Sequence, residues 1–129
     1  MSEAQLQSNV VKYLKLKYPK VQYCASLGGQ YQKYQSQRNK AKATGYVKGF
    51  PDLGIYVAKG GYYGLFLEIK EKGYATKEQK AWIDYLKQNG YYATIAKGLD
   101  ECISIIDKYM SQDNTISIYE KSIGQTKES

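Results

Sequence analysis

The chain has 129 residues and a mass of 14.7 kDa, the size of one ordinary domain, and its 43% hydrophobic and 24% charged residues are typical of a globular protein. It has no histidine and only two cysteines, which excludes catalytic triads, histidine general bases and zinc sites built from His or Cys₄. Any metal ion must therefore be bound by oxygen ligands, which favours Mg²⁺ or Mn²⁺. Because no apolar run approaches the ~20 residues of a membrane span and no signal-peptide pattern is present, we expect a reduced, cytoplasmic protein and no membrane partner.

The net charge of +7 is concentrated in the first part of the chain. Residues 4–51 contain nine Lys or Arg and no Asp or Glu, whereas residues 52–129 contain ten basic and eleven acidic residues. This asymmetry favours a polyanionic partner such as nucleic acid, although a solvated basic surface would have the same composition. The candidate DNA-binding residues are Lys33, Arg38, Lys40, Lys42 and Lys48.

Hydrophobic periodicity and turn residues divide the chain into seven elements. Ser2 and Gln5 have the spacing of a capping box and open a first helix. Thr76 and Gln79 repeat that spacing before a second helix. Lys59-Gly60-Gly61 has the composition of a hairpin turn. The predicted elements are, in chain order, a helix over about 3–18, strands over about 21–27, 53–58 and 62–70, a helix from the 76 cap to about 89, a strand over 91–96 and a helix over 99–110.

The order αβββαβα predicts one α/β domain over residues 1–129, with a mixed central sheet flanked by helices. Residues 30–49 are rich in Gln, Lys, Tyr and Ser and have no clear period, so we predict a basic functional loop there. A weak strand candidate over residues 115–119 precedes a polar tail.

The candidate catalytic residues Glu68 and Lys70 lie on one predicted strand. Because alternate side chains of a strand point to opposite faces, these two residues share a face, away from the apolar residues between them. Asp52 opens the preceding strand, and the hairpin turn returns it to the same end. Two carboxylates beside a lysine suit phosphodiester hydrolysis, since carboxylates hold a divalent cation and the lysine can assist the attacking water. An E-x-K pattern at the end of a strand is by itself more often a solvated pair. The presence of Asp52 is what favours a catalytic site.

Here the sequence resembles a known family. Residues 49–53, Gly-Phe-Pro-Asp-Leu, and 67–70, Leu-Glu-Ile-Lys, resemble the motif of the PD-(D/E)xK nucleases of the restriction-endonuclease-like superfamily. More narrowly, the chain is similar to the stand-alone VRR-NUC domains of bacteriophages. Glu3 in the first helix and Gln79 in the second match further positions of that family. The resemblance covers roughly residues 2–97 and implies a restriction-endonuclease-like fold; the final helix and tail, about 99–129, lie outside it.

The resemblance also implies roles for individual residues. Asp52, Glu68 and the backbone carbonyl of Ile69 would bind Mg²⁺ or Mn²⁺, and Lys70 would be the catalytic lysine. Glu3 would contribute to metal binding, directly or through water.

Gln79 would support the site. Glu3 and Gln79 each also have a purely structural explanation. An acidic residue in the first turn of a helix is favoured by the helix dipole, and Gln79 completes a capping box with Thr76.

The function that the resemblance implies is a Mg²⁺- or Mn²⁺-dependent DNA endonuclease, selective for branched DNA such as Holliday junctions. It would act as a homodimer, in the host-cell cytoplasm if the chain is phage-encoded. Two alternatives stay open: a nuclease for flaps, nicks or linear duplex, and a DNA-binding module that has lost catalysis. The complete set of Asp52, Glu68 and Lys70 argues against the inactive module.

Overall fold

The structure is a computed structural model and describes residues 1–26 and 34–113. Its elements alternate between helix and strand around one mixed sheet. They are α1 (Glu3–Lys17), β1 (Tyr23–Ala25), α2 (Gln35–Ala43), β2 (Leu53–Ile55), β3 (Leu65–Lys70), α3 (Lys77–Gln88), β4 (Tyr92–Lys97) and α4 (Leu99–Met110). The predicted α/β class with a mixed sheet flanked by helices is confirmed, and the sheet is consistent with the restriction-endonuclease-like fold. None of the described helices is long and apolar enough to span a bilayer.

The four strands are arranged in the order β1-β2-β3-β4. The two pairs formed by β1, β2 and β3 are antiparallel, whereas β3 and β4 are parallel and are connected through α3. The carboxyl ends of β3 and β4 therefore lie at the same end of the sheet as the amino end of β2. We call this the upper end of the sheet and the opposite one the lower end.

The core lies on both faces of the sheet and follows from the alternation within β3. Leu65, Leu67 and Ile69 face α1 and α4, whereas Phe66 packs under α3 with Ile83. The face covered by α1 and α4 holds the larger core. Its buried residues are Leu6, Val10, Leu14, Leu53, Ile55, Leu65, Leu67, Ile69, Ala96, Cys102, Ile106 and Tyr109.

Both predicted capping boxes are formed. The Ser2 hydroxyl accepts a hydrogen bond from the Gln5 N–H at 3.1 Å, and the Gln5 side chain accepts one from the Ser2 N–H at 3.0 Å. The same reciprocal pair links Thr76 and Gln79 at the start of α3. These bonds satisfy backbone N–H groups that have no partner within a helix, so they fix where α1 and α3 begin.

The prediction of a loop over residues 30–49 was wrong for its central part, which forms α2. The residues of α2 are mostly Gln, Lys, Arg and Ala, which are good helix formers, but none of them is buried. A helix without an apolar stripe has no periodicity to detect, which is why the sequence pattern missed it. The predicted order αβββαβα becomes αβαββαβα. Lys33 and the strand candidate at 115–119 lie outside the described residues.

The strands on either side of the hairpin turn are shorter than predicted. β2 ends at Ile55 and β3 begins at Leu65, because the backbone between them bonds to other partners. The Tyr109 hydroxyl donates to the Val57 carbonyl at 2.6 Å, and the Tyr63 N–H donates to the Gly90 carbonyl at 2.8 Å. The turn itself is held by a bridge between residues 59 and 62.

Candidate active site

Three helices begin at the upper end of the sheet. α3 and α4 follow the carboxyl ends of β3 and β4, and the amino group of Met1, just before α1, lies 3.8 Å from the carboxylate of Glu71. Helix N-termini carry partial positive charge and unpaired N–H groups, so they favour anions. The upper end of the sheet therefore has three helix N-termini that favour anions, and acidic residues in the first turn of each helix offset part of this attraction.

Glu68 is the one buried charged residue in the described part of the chain, with 2% of its surface exposed. It lies on β3 near the upper end, where the Lys70 ammonium approaches one of its oxygens, Oε2, at 3.8 Å. The other oxygen, Oε1, is buried and has no hydrogen-bond partner among the described residues. An unpartnered buried carboxylate oxygen is costly, so its presence indicates a ligand that the polypeptide itself does not supply.

Asp52 approaches the same strand through a backbone contact. Its Oδ2 accepts a hydrogen bond from the Ile69 N–H at 2.8 Å, and its own carbonyl accepts one from the Ser26 N–H at 2.8 Å. The half-buried carboxylate is thus fixed against β3, between Glu68 and the start of β2.

The proline of the motif gives the Ile69 carbonyl no N–H partner from the β2 side. The Lys70 carbonyl accepts from the Gly98 N–H on the β4 side, so the Ile69 carbonyl points to the β2 side. Leu53 pairs with Leu67, and continuing that register by two residues places Pro51 opposite Ile69. Proline has no N–H to donate to this carbonyl. Sequence reasoning assigned no role to this proline, although its position directly before the aspartate was visible.

The electrostatics of Asp52 and Glu68 also favour a bound cation. Burial raises the pKa of the Glu68 carboxyl well above its usual range, and the negative charge of Asp52 raises it further. The Lys70 ammonium opposes this rise, whereas the charge of Glu3 adds to it. Two carboxylates that repel each other in a buried place are stabilised by a divalent cation between them, which offsets both charges.

The predicted metal-binding residues do not all come together. The carboxylates of Asp52 and Glu68 lie close enough to interact, and that of Asp52 contacts the backbone of Ile69; their hard oxygen atoms fit Mg²⁺ or Mn²⁺. Glu3 is exposed on α1, near enough to raise the pKa of Glu68. Within residues 1–26 and 34–113, however, no three acidic or cysteine side chains form a group that could hold an ion.

Gln79 is engaged in the cap of α3. Its Oε1 accepts a hydrogen bond from the Thr76 N–H at 2.9 Å, which leaves its amide N–H₂ to donate hydrogen bonds to other groups. Gln7 was not anticipated: its Nε2 donates to the Asp52 carbonyl at 3.5 Å, and it follows no sequence motif that would have revealed it.

The basic residues predicted to bind DNA are exposed wherever the structure describes them. Arg38, Lys40 and Lys42 are on α2, which connects β1 to β2 at the upper end, and Lys48 follows in the same connection. The charge of Lys48 helps to lower the pKa of Glu78 at the start of α3, so this lysine also lies at the upper end.

Comparison with known proteins identifies the family. No protein-family model and no curated protein matches the sequence. A solved structure named "VRR_NUC domain protein" matches with a TM-score of 0.76 and 34% sequence identity, covering 88% of this chain and 92% of that one. VRR-NUC proteins are PD-(D/E)xK nucleases, which generally use a divalent metal ion and act on DNA. At this identity and coverage, the chain belongs to the VRR-NUC family of nucleases.

Proposed function

We propose that the protein is a Mg²⁺- or Mn²⁺-dependent DNA endonuclease in which Asp52, Glu68 and the Ile69 carbonyl hold the ion. The observation that carries this proposal is the buried Glu68 carboxylate, with one oxygen unpartnered and the other 3.8 Å from the Lys70 ammonium. When bound, the ion supplies a polarised phosphoryl oxygen and a water of lowered pKa. An inactive DNA-binding module would gain nothing from burying such a charge.

Lys70 is the catalytic lysine in this proposal. Its side chain is only 12% exposed, and its ammonium points toward the carboxylate of Glu68, which lies on the same face of β3. A desolvated ammonium in this position donates hydrogen bonds to the attacking water or to the phosphoryl oxygens, where charge develops in the transition state. Glu3, close to the pair but exposed, acts on the ion through water, and the free amide N–H₂ of Gln79 supports the site.

We further propose that DNA lies across the upper end of the sheet. The N-termini of α1, α3 and α4 and the exposed basic residues of α2 are all located there, so fixed dipoles and side-chain charges attract the phosphate backbone together. The proposed substrate is branched DNA such as a Holliday junction; flaps, nicks and linear duplex are the alternatives.

The first experiment is a cleavage assay on labelled four-way, flap, nicked and linear DNA, each with Mg²⁺, with Mn²⁺ and with EDTA. We expect cleavage that needs the ion and is fastest on the four-way junction. Cleavage that persists in EDTA would contradict the metal-dependent mechanism, and a faster rate on flaps or nicks would replace the junction as the proposed substrate.

The basic segment gives a quantitative prediction. Replacing Lys33, Arg38, Lys40 and Lys42 by Gln should weaken duplex binding and reduce the salt dependence of affinity, by up to ~0.9 in the log–log slope for each lost phosphate contact. Titrations at several salt concentrations measure the slope. The matched control removes four lysines from the ends of helices at the lower end of the sheet. These control residues are Lys15, Lys20, Lys87 and Lys108. An equal loss of slope in both variants would show that α2 has no special role.

A homodimer follows from the proposed substrate. The described part of one chain offers one pair of convergent carboxylates, whereas resolving a four-way junction takes two symmetric cuts, which a two-fold dimer provides. Tyr56, Tyr63 and Tyr85, which are between 52% and 59% exposed, lie with Trp82 on the α3 face and offer aromatic material for an interface. Light scattering should give about twice 14.7 kDa, and junction cuts should map to two opposing strands. A monomer that nicks one strand would contradict the dimer and favour flaps or nicks.

A further inference from the structure

Tyr74 is an exposed aromatic residue next to the candidate site. It lies in the loop between β3 and α3, four residues after Lys70, at the upper end of the sheet. Its side chain is 84% exposed. Burying a tyrosine ring stabilises a fold, but this ring contributes almost nothing to the core, so its position needs another explanation.

The ring is nevertheless held in place. The Lys97 ammonium lies 4.3 Å from the centroid of the Tyr74 ring, within the range of a cation–π contact. Lys97 is the register partner of Lys70 across β3 and β4, and its backbone N–H donates to the Glu101 carboxylate at 3.0 Å. The two paired strands fix the backbone of Lys97 relative to the site, and its ammonium lies against the Tyr74 ring.

Three exposed tyrosines on the α3 face differ from Tyr74 in their contacts. Tyr56, Tyr63 and Tyr85 each pack edge-on against a neighbouring ring, which gives them a structural role. Within residues 1–26 and 34–113, Tyr74 makes no such ring contact. The Lys97 ammonium lies over its ring instead. A flat, exposed π face beside a positive charge is the arrangement that proteins use to stack on nucleic-acid bases.

We propose that Tyr74, beside Lys97, stacks on a base that becomes unpaired at the branch point next to the scissile phosphate, so that the site recognises branched DNA whose branch point opens at the cut. This inference rests on the proposed nuclease function and narrows its substrate. Bases inside a continuous duplex present only their edges, whereas an unpaired base at a flap or an opened branch point exposes its face. Lys97 then lies beside the adjoining phosphate, where its charge is neutralised by the DNA.

The test measures binding separately from cleavage. A flap DNA with 2-aminopurine as the first unpaired nucleotide, and a fully paired duplex of the same length, are titrated in Ca²⁺ with the wild-type chain and with Tyr74→Ala, Tyr74→Phe and Leu16→Ala. We expect the wild type and Tyr74→Phe to quench the 2-aminopurine fluorescence by stacking. Tyr74→Ala should lose the quenching and bind the flap about tenfold more weakly, with duplex affinity unchanged.

The control, Leu16→Ala, removes an apolar side chain that is 86% exposed in the last turn of α1, away from the upper end, and should leave quenching intact. Unchanged quenching in Tyr74→Ala, or an equal loss of affinity for flap and duplex, would overturn the stacking role. Because the titration needs no cleavage, an inactive wild-type chain in Mg²⁺ and Mn²⁺ would overturn the proposed function and still leave the stacking result interpretable.

Discussion

Asp52→Asn should lower the cleavage rate in Mg²⁺ by on the order of 10³-fold or more, because it removes a charged ligand from an ion that supplies several kcal/mol of transition-state stabilisation. Asparagine is the sharper substitution than alanine here, since its side-chain oxygen still accepts the hydrogen bond from the Ile69 N–H. Single-turnover cleavage of the labelled junction measures the rate. The control is Asp84→Asn, an exposed aspartate on α3. Full activity of Asp52→Asn would refute the assignment of the site.

The same variant should gain stability when no metal is present. The pKa of Glu68 is raised in the folded chain, so the folded state binds a proton that the unfolded state releases, and stability falls as the pH rises above the unfolded value of about 4.5. Asp52 is the second cause of that rise, and removing its charge should flatten the decline. We expect the melting temperature of Asp52→Asn in EDTA to exceed that of the wild type by about 4 °C at pH 8, and by less at pH 5.

Lys70→Ala should lower the turnover number by on the order of 10²-fold or more, while affinity for junction DNA in Ca²⁺ changes little. The physical reason is that the ammonium lies 3.8 Å from Glu68 and is nearly buried, so in the proposed site it would act on the reacting groups and not on the flanking phosphates. Pre-steady-state cleavage and a binding titration separate the two effects.

Two further variants sharpen the Lys70 experiment. Lys72→Ala removes an exposed lysine two residues further along the chain and should retain the wild-type turnover number. Lys70→Arg keeps the positive charge and should recover part of the rate if charge stabilisation dominates. A Lys70→Ala variant that cleaves at the normal rate but binds DNA poorly would make this residue a phosphate contact instead.

Much of the site was predictable because its parts follow local rules. Alternation along a strand puts Glu68 and Lys70 on one face, and a Gly-Gly turn brings the preceding strand back, so Asp52 had to lie near them. The capping residues of α1 and α3 are likewise predicted from a pattern that spans four consecutive residues. Each of these inferences uses a spacing that does not depend on tertiary contacts.

What could not be predicted depends on contacts between distant segments. The tip of Tyr109 reaches the Val57 carbonyl, so this polar-tipped ring is buried. The periodicity of the last helix does not predict that, since it favours Ile103 and Met110 on the inner face, and these two are only half-buried. α2 has no buried face, so no pattern marked it. That the Ile69 carbonyl faces the proline requires the register between β2 and β3, which no stretch of sequence encodes by itself.

The packing of α1 on α4 has a consequence for synthesis of the protein. The hydroxyls of Tyr13 and Tyr18 and the ammonium of Lys17 all bind the Asp107 carboxylate, which joins the first helix to the last described one. On the ribosome, the hairpin that carries Asp52 and Glu68 emerges before α4, and until then α1 can pack only on the sheet. A nascent chain therefore cannot fully bury the face of β3 behind its carboxylates until α4 has emerged from the ribosome, so we expect the candidate site to become ordered only after α4 is synthesised.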